Sequence, residues 1–488
     1  MASALTPLSA MSSEGSQYSP SSPSNAAMAA LRRWRPPVKG GSPLEDNDLP
    51  PPCGLHERAM LIACLGSCAA GTTLSYTSAA MPSIELEPWY QLQKTAPANG
   101  WVADVLLLGA TGGALLSGIL VPLAGHRRTL LLSAFGLLCG WICLIASNNV
   151  IMLMVSRVVS GLWLGALACC SSLYVTDVAP PKKRAFFGGL SEVAMSVGAM
   201  TACFLDGVKW EFQAFLCALW PLAVLAFQQY VIESPRSLIA RGRRQEANVA
   251  ASRLYGMDLP PELRQKKDGQ VPGPVHWLNM SRMVSACLLL FFLQNLSLIQ
   301  LFQLRALQVS GYLIGMSYGN MMALLLFAGQ TVLAGLFAAQ THLIGRRWLL
   351  GASAVLVTVA HFTLTPLEYL VLSTWTVEKR SEPTNWRGVM SIVTLVLTYS
   401  FGLCHLPPLL TGELVPLRIR YLGSAVIWAT RWIVMFLLVH FDGSLLAAMQ
   451  TRQTFLAFCL VYVLTACVTV ALIPETEGRS LVDIAKDE

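Results

Sequence analysis

Charge is scarce in this chain. Asp, Glu, Lys and Arg together make up 12% of its 488 residues, against 54% hydrophobic residues, and the mean hydropathy is +0.54. A soluble domain normally carries about 25% charged residues, so an ordinary water-soluble globule is excluded. Reactive constellations are missing as well. There is no nucleophile–base set, no metal-binding cluster and no Walker-type phosphate loop, which argues against an enzyme and against an ATP-driven pump. The 13 cysteines form no C-x-x-C pair and no Cys/His spacing suited to zinc. Scattered mainly through apolar runs, they read as small buried hydrophobes. No cofactor is implied.

What the chain has instead is long apolar runs. Crossing a bilayer takes about 20 such residues per helix. Twelve runs qualify, at 59–82, 101–123, 129–147, 150–175, 187–205, 212–232, 284–307, 313–343, 347–371, 389–410, 422–441 and 454–474. The chain therefore reads as an all-α membrane protein whose partners include the lipid bilayer. Its net charge of +7 does not point to nucleic acid, because the basic residues are confined to short clusters between runs: Arg127/Arg128, Lys182/Lys183/Arg184, Arg346/Arg347 and Arg418/Arg420. All four clusters fall on one side, which predicts cytoplasmic termini by the positive-inside rule. The loop at 372–389, with Lys379, Arg380 and Arg387, weakens that pattern without reversing it.

The organisation follows from the runs. Residues 1–56 are Ser/Pro-rich with little to pack, and are expected to form a disordered cytoplasmic tail. Nothing in them resembles a secretory signal. A six-helix half is expected over 57–232, a basic cytoplasmic linker with short helices over 233–283, a second six-helix half over 284–474, and a polar cytoplasmic tail over 475–488.

Three charged motifs of the first half recur in order in the second. Gly125-His126-Arg127-Arg128 matches Gly345-Arg346-Arg347. Asp177-Val178-Ala179-Pro180 running to Arg184 matches Glu413-Leu414-Val415-Pro416 running to Arg420. Glu233-Ser234-Pro235-Arg236 matches Glu475-Thr476-Glu477-Gly478-Arg479. A membrane chain duplicated in this way is most simply a transporter built from two parallel six-helix halves.

At these motifs the chain resembles the sugar porter family of the major facilitator superfamily, and within it the insect facilitated trehalose transporters. Ser75-Tyr76-Thr77-Ser78-Ala79 resembles that group's first span. Arg157 with Gly161 and Gly165, Tyr174-Val175-Thr176-Asp177, and Pro474 through Ser480 carry further family signatures. The resemblance implies the major facilitator fold, with 12 transmembrane helices in two halves. It also implies a plasma-membrane location and facilitative transport of a sugar, either a hexose or a trehalose-like disaccharide. The departures are equally specific. Pro122 and His342 stand where an acid is usual, His126 where an arginine is usual, Ile232 for a proline and Ala185 for a glycine.

Acids and arginines at the ends of different spans can pair across one face when it closes and part when it opens, biasing a two-state equilibrium. The candidate gating residues are Arg127, Asp177, Arg184, Glu233, Arg236, Arg346, Glu413, Arg420 and Glu475. The family departures predict a thinner latch than usual.

A neutral, hydroxyl-rich solute needs amide and hydroxyl partners and an aromatic face. By resemblance, the candidate substrate-binding residues are Glu192, Gln294, Asn295, Gln300, Gln330, Arg431 and Trp432. On a regular helix Gln300 lies roughly 120° from Gln294, so the seventh-span amides share one cavity only if that span is unwound. The Pro407-Pro408 pair is expected to break the tenth span. Glu192 and Arg431 replace family amides. A charge at mid-bilayer costs about 2.5–3.5 kcal/mol, so these two are expected to pair, to meet a charged solute or, for Glu192, to carry a proton. The alternatives to a sugar uniporter are thus the same fold carrying a charged or zwitterionic solute, proton coupling through Glu192, and a non-transporting membrane sensor.

Overall fold

The computed structural model describes residues 54–93, 98–256, 277–295, 316–375, 386–417, 419–441 and 452–478. Gln300, Arg479 and nearly all of the Ser/Pro-rich tail lie outside these residues. Within them, every regular element is helical. The first five spans are Leu55–Ile84, Ala98–Ala124, His126–Ile145, Val150–Val178 and Pro181–Phe204, and the sixth is broken at Ala218 into Trp210–Cys217 and Leu219–Ala226. The second half comprises Trp277–Asn295, Met316–Ile344, Arg346–Trp375, a tenth span in two pieces (Trp386–Ser400 and Leu406–Leu414), Arg420–His440 and Arg452–Leu472. Among the described residues, 7 helices have the length and apolarity to cross a bilayer by themselves.

The apolar composition is used on both sides of these helices. Large side chains such as Leu123, Ile151, Leu325 and Val332 are exposed on the outside, a surface suited to lipid rather than water. The interior also holds polar and charged side chains. Arg157, for example, is buried with its guanidinium 4.5 Å from the centre of the Tyr76 ring and 6.0 Å from that of Trp141, so aromatic faces offset part of its lost hydration. The tenth span breaks over 401–405, where the two prolines open its second piece. A proline can begin a helix but cannot sit inside one without losing a bond.

The halves meet chiefly along two seams, the second span against the eleventh and the fifth against the eighth. Each seam depends on a glycine. A Cβ at Gly118 would lie 2.5 Å from the Cβ of Ala425, and one at Gly189 would lie 2.4 Å from the Cβ of Ala338. Small residues let helices approach closely where no hydrophobic effect drives them together. Between the halves, the short helices Pro235–Ala240 and Arg244–Tyr255 pack beneath the first half, and the Tyr255 hydroxyl donates to the Val178 carbonyl at 2.9 Å.

Candidate functional site

The repeated motifs all converge at one end of the bundle. Gly125 and Gly345 form one-residue turns between the second and third, and the eighth and ninth, spans, with φ of 94° and 88°. A side chain there would be strained, and its Cβ would also meet the Glu233 carboxylate at 2.5 Å or the Glu475 carboxylate at 2.8 Å. Each turn presents the N-terminus of the following helix to that acid. Glu233 accepts the N–H groups of His126 (2.7 Å) and Arg127 (3.2 Å). Glu475 accepts those of Arg346 (3.1 Å) and Arg347 (3.2 Å). Negative charge is stabilised where the unpaired N–H groups and the positive end of the helix dipole lie. The first and third motifs of each half are therefore parts of one structure.

The second motif joins the halves. Asp177 forms an ion pair with Arg420 at 2.9 Å, and the same guanidinium donates to Thr176 Oγ1 at 3.0 Å. Glu413 pairs with Arg346 and lies 3.7 Å from Arg184. Asp177 and Arg184 belong to the first half, Glu413 and Arg420 to the second, so each acid takes one cation from across the boundary. The partner from its own half differs. Glu413 has Arg346, whereas Asp177 has His126 Nε2 at 3.6 Å, an imidazole that carries charge only when protonated. All six side chains are buried, so their pairing is weakly screened.

Arg346 also forms an ion pair with Glu477 at 2.9 Å and donates to the Thr476 hydroxyl at 3.0 Å. Burial holds the Glu477 carboxyl above the usual carboxylate range, with the Arg346 charge pulling the other way. Of the other predicted gating residues, Arg236 is half-buried in the short linker helix that Pro235 opens. Arg127 is exposed and gives the site its main-chain N–H, so the cation position falls to His126.

At the opposite end, His440 Nδ1 of the eleventh span lies 2.8 Å from Asp104 of the second, with the imidazole against Trp101 and Phe436. This contact also crosses between the halves.

Between the two ends lies a small cavity lined by Gly71, Ser75, Glu192, Ser196, Gln330, Tyr399, Cys404 and Arg431, with Leu74, Met195, Ala199 and Phe327 as its apolar walls. Glu192 on the fifth span and Arg431 on the eleventh are both buried and pair at 3.2 Å. Arg431 also lies 5.2 Å from the Trp428 ring centre and 5.7 Å from that of Trp432. Gln330 faces the cavity and donates to Cys404 Sγ at 3.4 Å. Gln294 stands one layer back, donating to the Tyr399 hydroxyl (3.1 Å) and the Leu403 carbonyl (2.7 Å). Asn295 donates to the Phe291 carbonyl of its own helix at 2.7 Å, and Trp432 is buried beside Arg431. Glu192, Gln330 and Arg431 are thus brought together, Gln294 and Trp432 touch the lining residues Tyr399 and Arg431 from behind, and Asn295 bonds to its own helix.

Sequence reasoning missed Ser75, Ser196, Tyr399 and Trp428, as well as the Asp104–His440 contact. Only Trp428 had a local signal, since it stands one helical turn before Trp432.

A family model described as "Sugar (and other) transporter" matches residues 59–487. The chain belongs to that family. It is 25% identical over 445 residues to the facilitated trehalose transporter Tret1 of Aedes aegypti, covering 88% of this chain and 54% of the relative. To the Tret1 of Culex quinquefasciatus it is 26% identical over 445 residues, covering 88% of this chain and 84% of the relative. The chain therefore spans about half the length of the first relative. Among solved structures it resembles the major facilitator proton:xylose symporter XylE bound to 6-bromo-6-deoxy-D-glucose, with a TM-score of 0.76 and 17% identity, covering 89% of this chain and 99% of that one. The fold is that of the major facilitators. Family and fold are those of a membrane transporter and not of an enzyme.

Proposed function

We propose that the chain carries a neutral sugar, a hexose or a trehalose-like disaccharide, across the plasma membrane by alternating access, as a facilitative uniporter. The observation that carries this reading is the position of the cavity: lined by both polar and apolar side chains, it lies between contacts that join the halves at both ends. Rocking the halves about the two glycine seams would break one set of contacts and keep the other. The hydroxyls of Ser75 and Ser196, the Gln330 amide and the Glu192–Arg431 pair offer the donors and acceptors a sugar uses. Gln294, Asn295, Gln300 and Trp432 belong to the same proposed set. The relatives' names, which describe facilitated transport of trehalose, support the same substrate class.

In this reading the motif end and both termini are cytoplasmic, as the basic clusters suggest. The gate comprises Asp177, Arg184, Glu413 and Arg420 directly, with Arg346 and His126 behind them, Glu233 and Glu475 fixing the turns, and Arg127 and Arg236 at its edge. The mutual neutralisation of Glu192 and Arg431 favours a neutral solute over a charged one, and an ion-paired Glu192 favours uniport over proton coupling. The test is flux of labelled glucose and trehalose into liposomes holding the purified chain, at two pH values. Uptake saturating with sugar and independent of pH is expected. No uptake, in a preparation where a known sugar porter works, would sink the proposal. Binding without flux that depended on residues 1–56 would mark a sensor instead.

A further inference from the structure

Glu192 and Arg431 are the two charged side chains among the residues lining the cavity, and they come from different halves. Their charges cancel at 3.2 Å. Arg431 is held on its own side by Trp428 and Trp432, and Glu192 lies in the body of the fifth span, next to Ser196 one turn on. A solute entering between them meets a carboxylate on one wall and a guanidinium on the other. A sugar hydroxyl satisfies both, because it donates to the first and accepts from the second. A solute with a single charge gains one contact, is repelled by the other wall, and gives up its own hydration on entering.

We propose that the Glu192–Arg431 pair is a charge filter, which admits neutral sugars and rejects both sugar acids and protonated amino sugars. The inference deepens the sugar reading and rests on it. Specificity here comes from a repulsive element of each sign rather than from tighter binding of the preferred solute. Removing one partner should therefore not merely weaken transport but tilt it. Glu192→Gln leaves Arg431 unmatched and should favour an anion, while Arg431→Gln leaves Glu192 unmatched and should favour a cation.

The experiment compares liposome uptake of glucose, glucuronate and protonated glucosamine by the full chain and three variants. In the unaltered chain glucose should dominate. Glu192→Gln should raise the glucuronate-to-glucose ratio by about tenfold or more, and Arg431→Gln should raise the glucosamine-to-glucose ratio by a similar factor. The double variant Glu192→Gln/Arg431→Gln, which leaves no buried charge unpaired, should return to neutral preference. It also provides a folded control if a single variant fails to assemble. Ratios that stay fixed in the single variants, or move in the same direction, overturn the filter while the sugar reading stands. An unaltered chain that moves no glucose or trehalose overturns the sugar reading, and the filter with it.

Discussion

Arg420 reaches from the second half to Asp177 of the first at 2.9 Å, and the pseudo-symmetric reach, Arg184 to Glu413, measures 3.7 Å. The two halves of the lock are therefore unequal. The tighter cross-boundary pair sits on the acid whose own-half partner is a histidine, and the looser one on the acid that already holds Arg346. In the proposed gate, where His126 supplies less charge than an arginine would, Arg420 is the residue expected to carry the closure.

Arg420→Gln should open the motif end. Removing one partner of a buried pair typically costs about 3–5 kcal/mol, and here the loss falls on the state closed at that end. Ser75, which lines the cavity, can be replaced by cysteine as a reporter. Its labelling by an impermeant thiol reagent applied from the motif side should rise several-fold in the Arg420→Gln background. The exchange Asp177→Arg/Arg420→Asp should recover part of the protection. Unchanged labelling would show that the pair does not hold the end shut.

His440→Ala should act in the opposite direction. The Asp104–His440 contact crosses the boundary at the far end, with the imidazole partly exposed at 29%, so its loss is expected to cost only about 1 kcal/mol. The same Ser75→Cys reporter should become more accessible from the side away from the motifs, and combining His440→Ala with Arg420→Gln should bring the two accessibilities back toward balance. Additive opening at both ends would contradict a single two-state equilibrium.

Gly118→Ala places a methyl 2.5 Å from that of Ala425, so the seam must part. Overpacking of this kind costs about 1–3 kcal/mol, and because the seam is where the halves turn, initial flux should fall several-fold. Ala425→Gly in the same chain should restore it. The pair Gly189→Ala and Ala338→Gly should behave alike at the other seam. Failure of both rescues would remove the seams from the mechanism.

Glu477 lies beyond the twelfth span, and its carboxyl is held above the ordinary value by burial, with Arg346 opposing. A group bound more tightly to its proton in the folded than in the unfolded chain stabilises the fold below its unfolded pKa, and that contribution is lost as pH rises through the folded one. The Tm in detergent should therefore gain from Glu477 as the pH is lowered through the carboxylate range. Glu477→Gln, which mimics the protonated form, should flatten that portion of the pH–Tm curve. A curve identical in the two proteins would show that Arg346 compensates the burial fully.

Much of this architecture was legible in the chain. Runs long enough to span, basic clusters between them and a duplicated motif set need only local composition and spacing, because a bilayer forces each run to satisfy its own backbone. The break before Pro407 was local as well. The site was less legible. Gln294 and Asn295 were expected at the cavity by resemblance, yet one bonds to the tenth span and the other to its own helix. Which way an amide faces depends on how its helix is rotated against its neighbours, and an almost uniformly apolar span has no strong periodicity to fix that rotation.

The sequence by itself determined a two-half membrane transporter, the end at which its charged motifs gather, and the presence of two costly charges, Glu192 and Arg431, within spans. Only the tertiary structure decided what those charges do. It brought a residue of the fifth span to within 3.2 Å of one on the eleventh, joined Asp177 to Arg420 and Glu413 to Arg184 across the boundary, and put Asp104 against His440 at the far end. These partners are separated by hundreds of residues in the chain. They meet because small residues at Gly118 and Gly189 let the seams close, and a buried charge without its partner there would be too costly to keep.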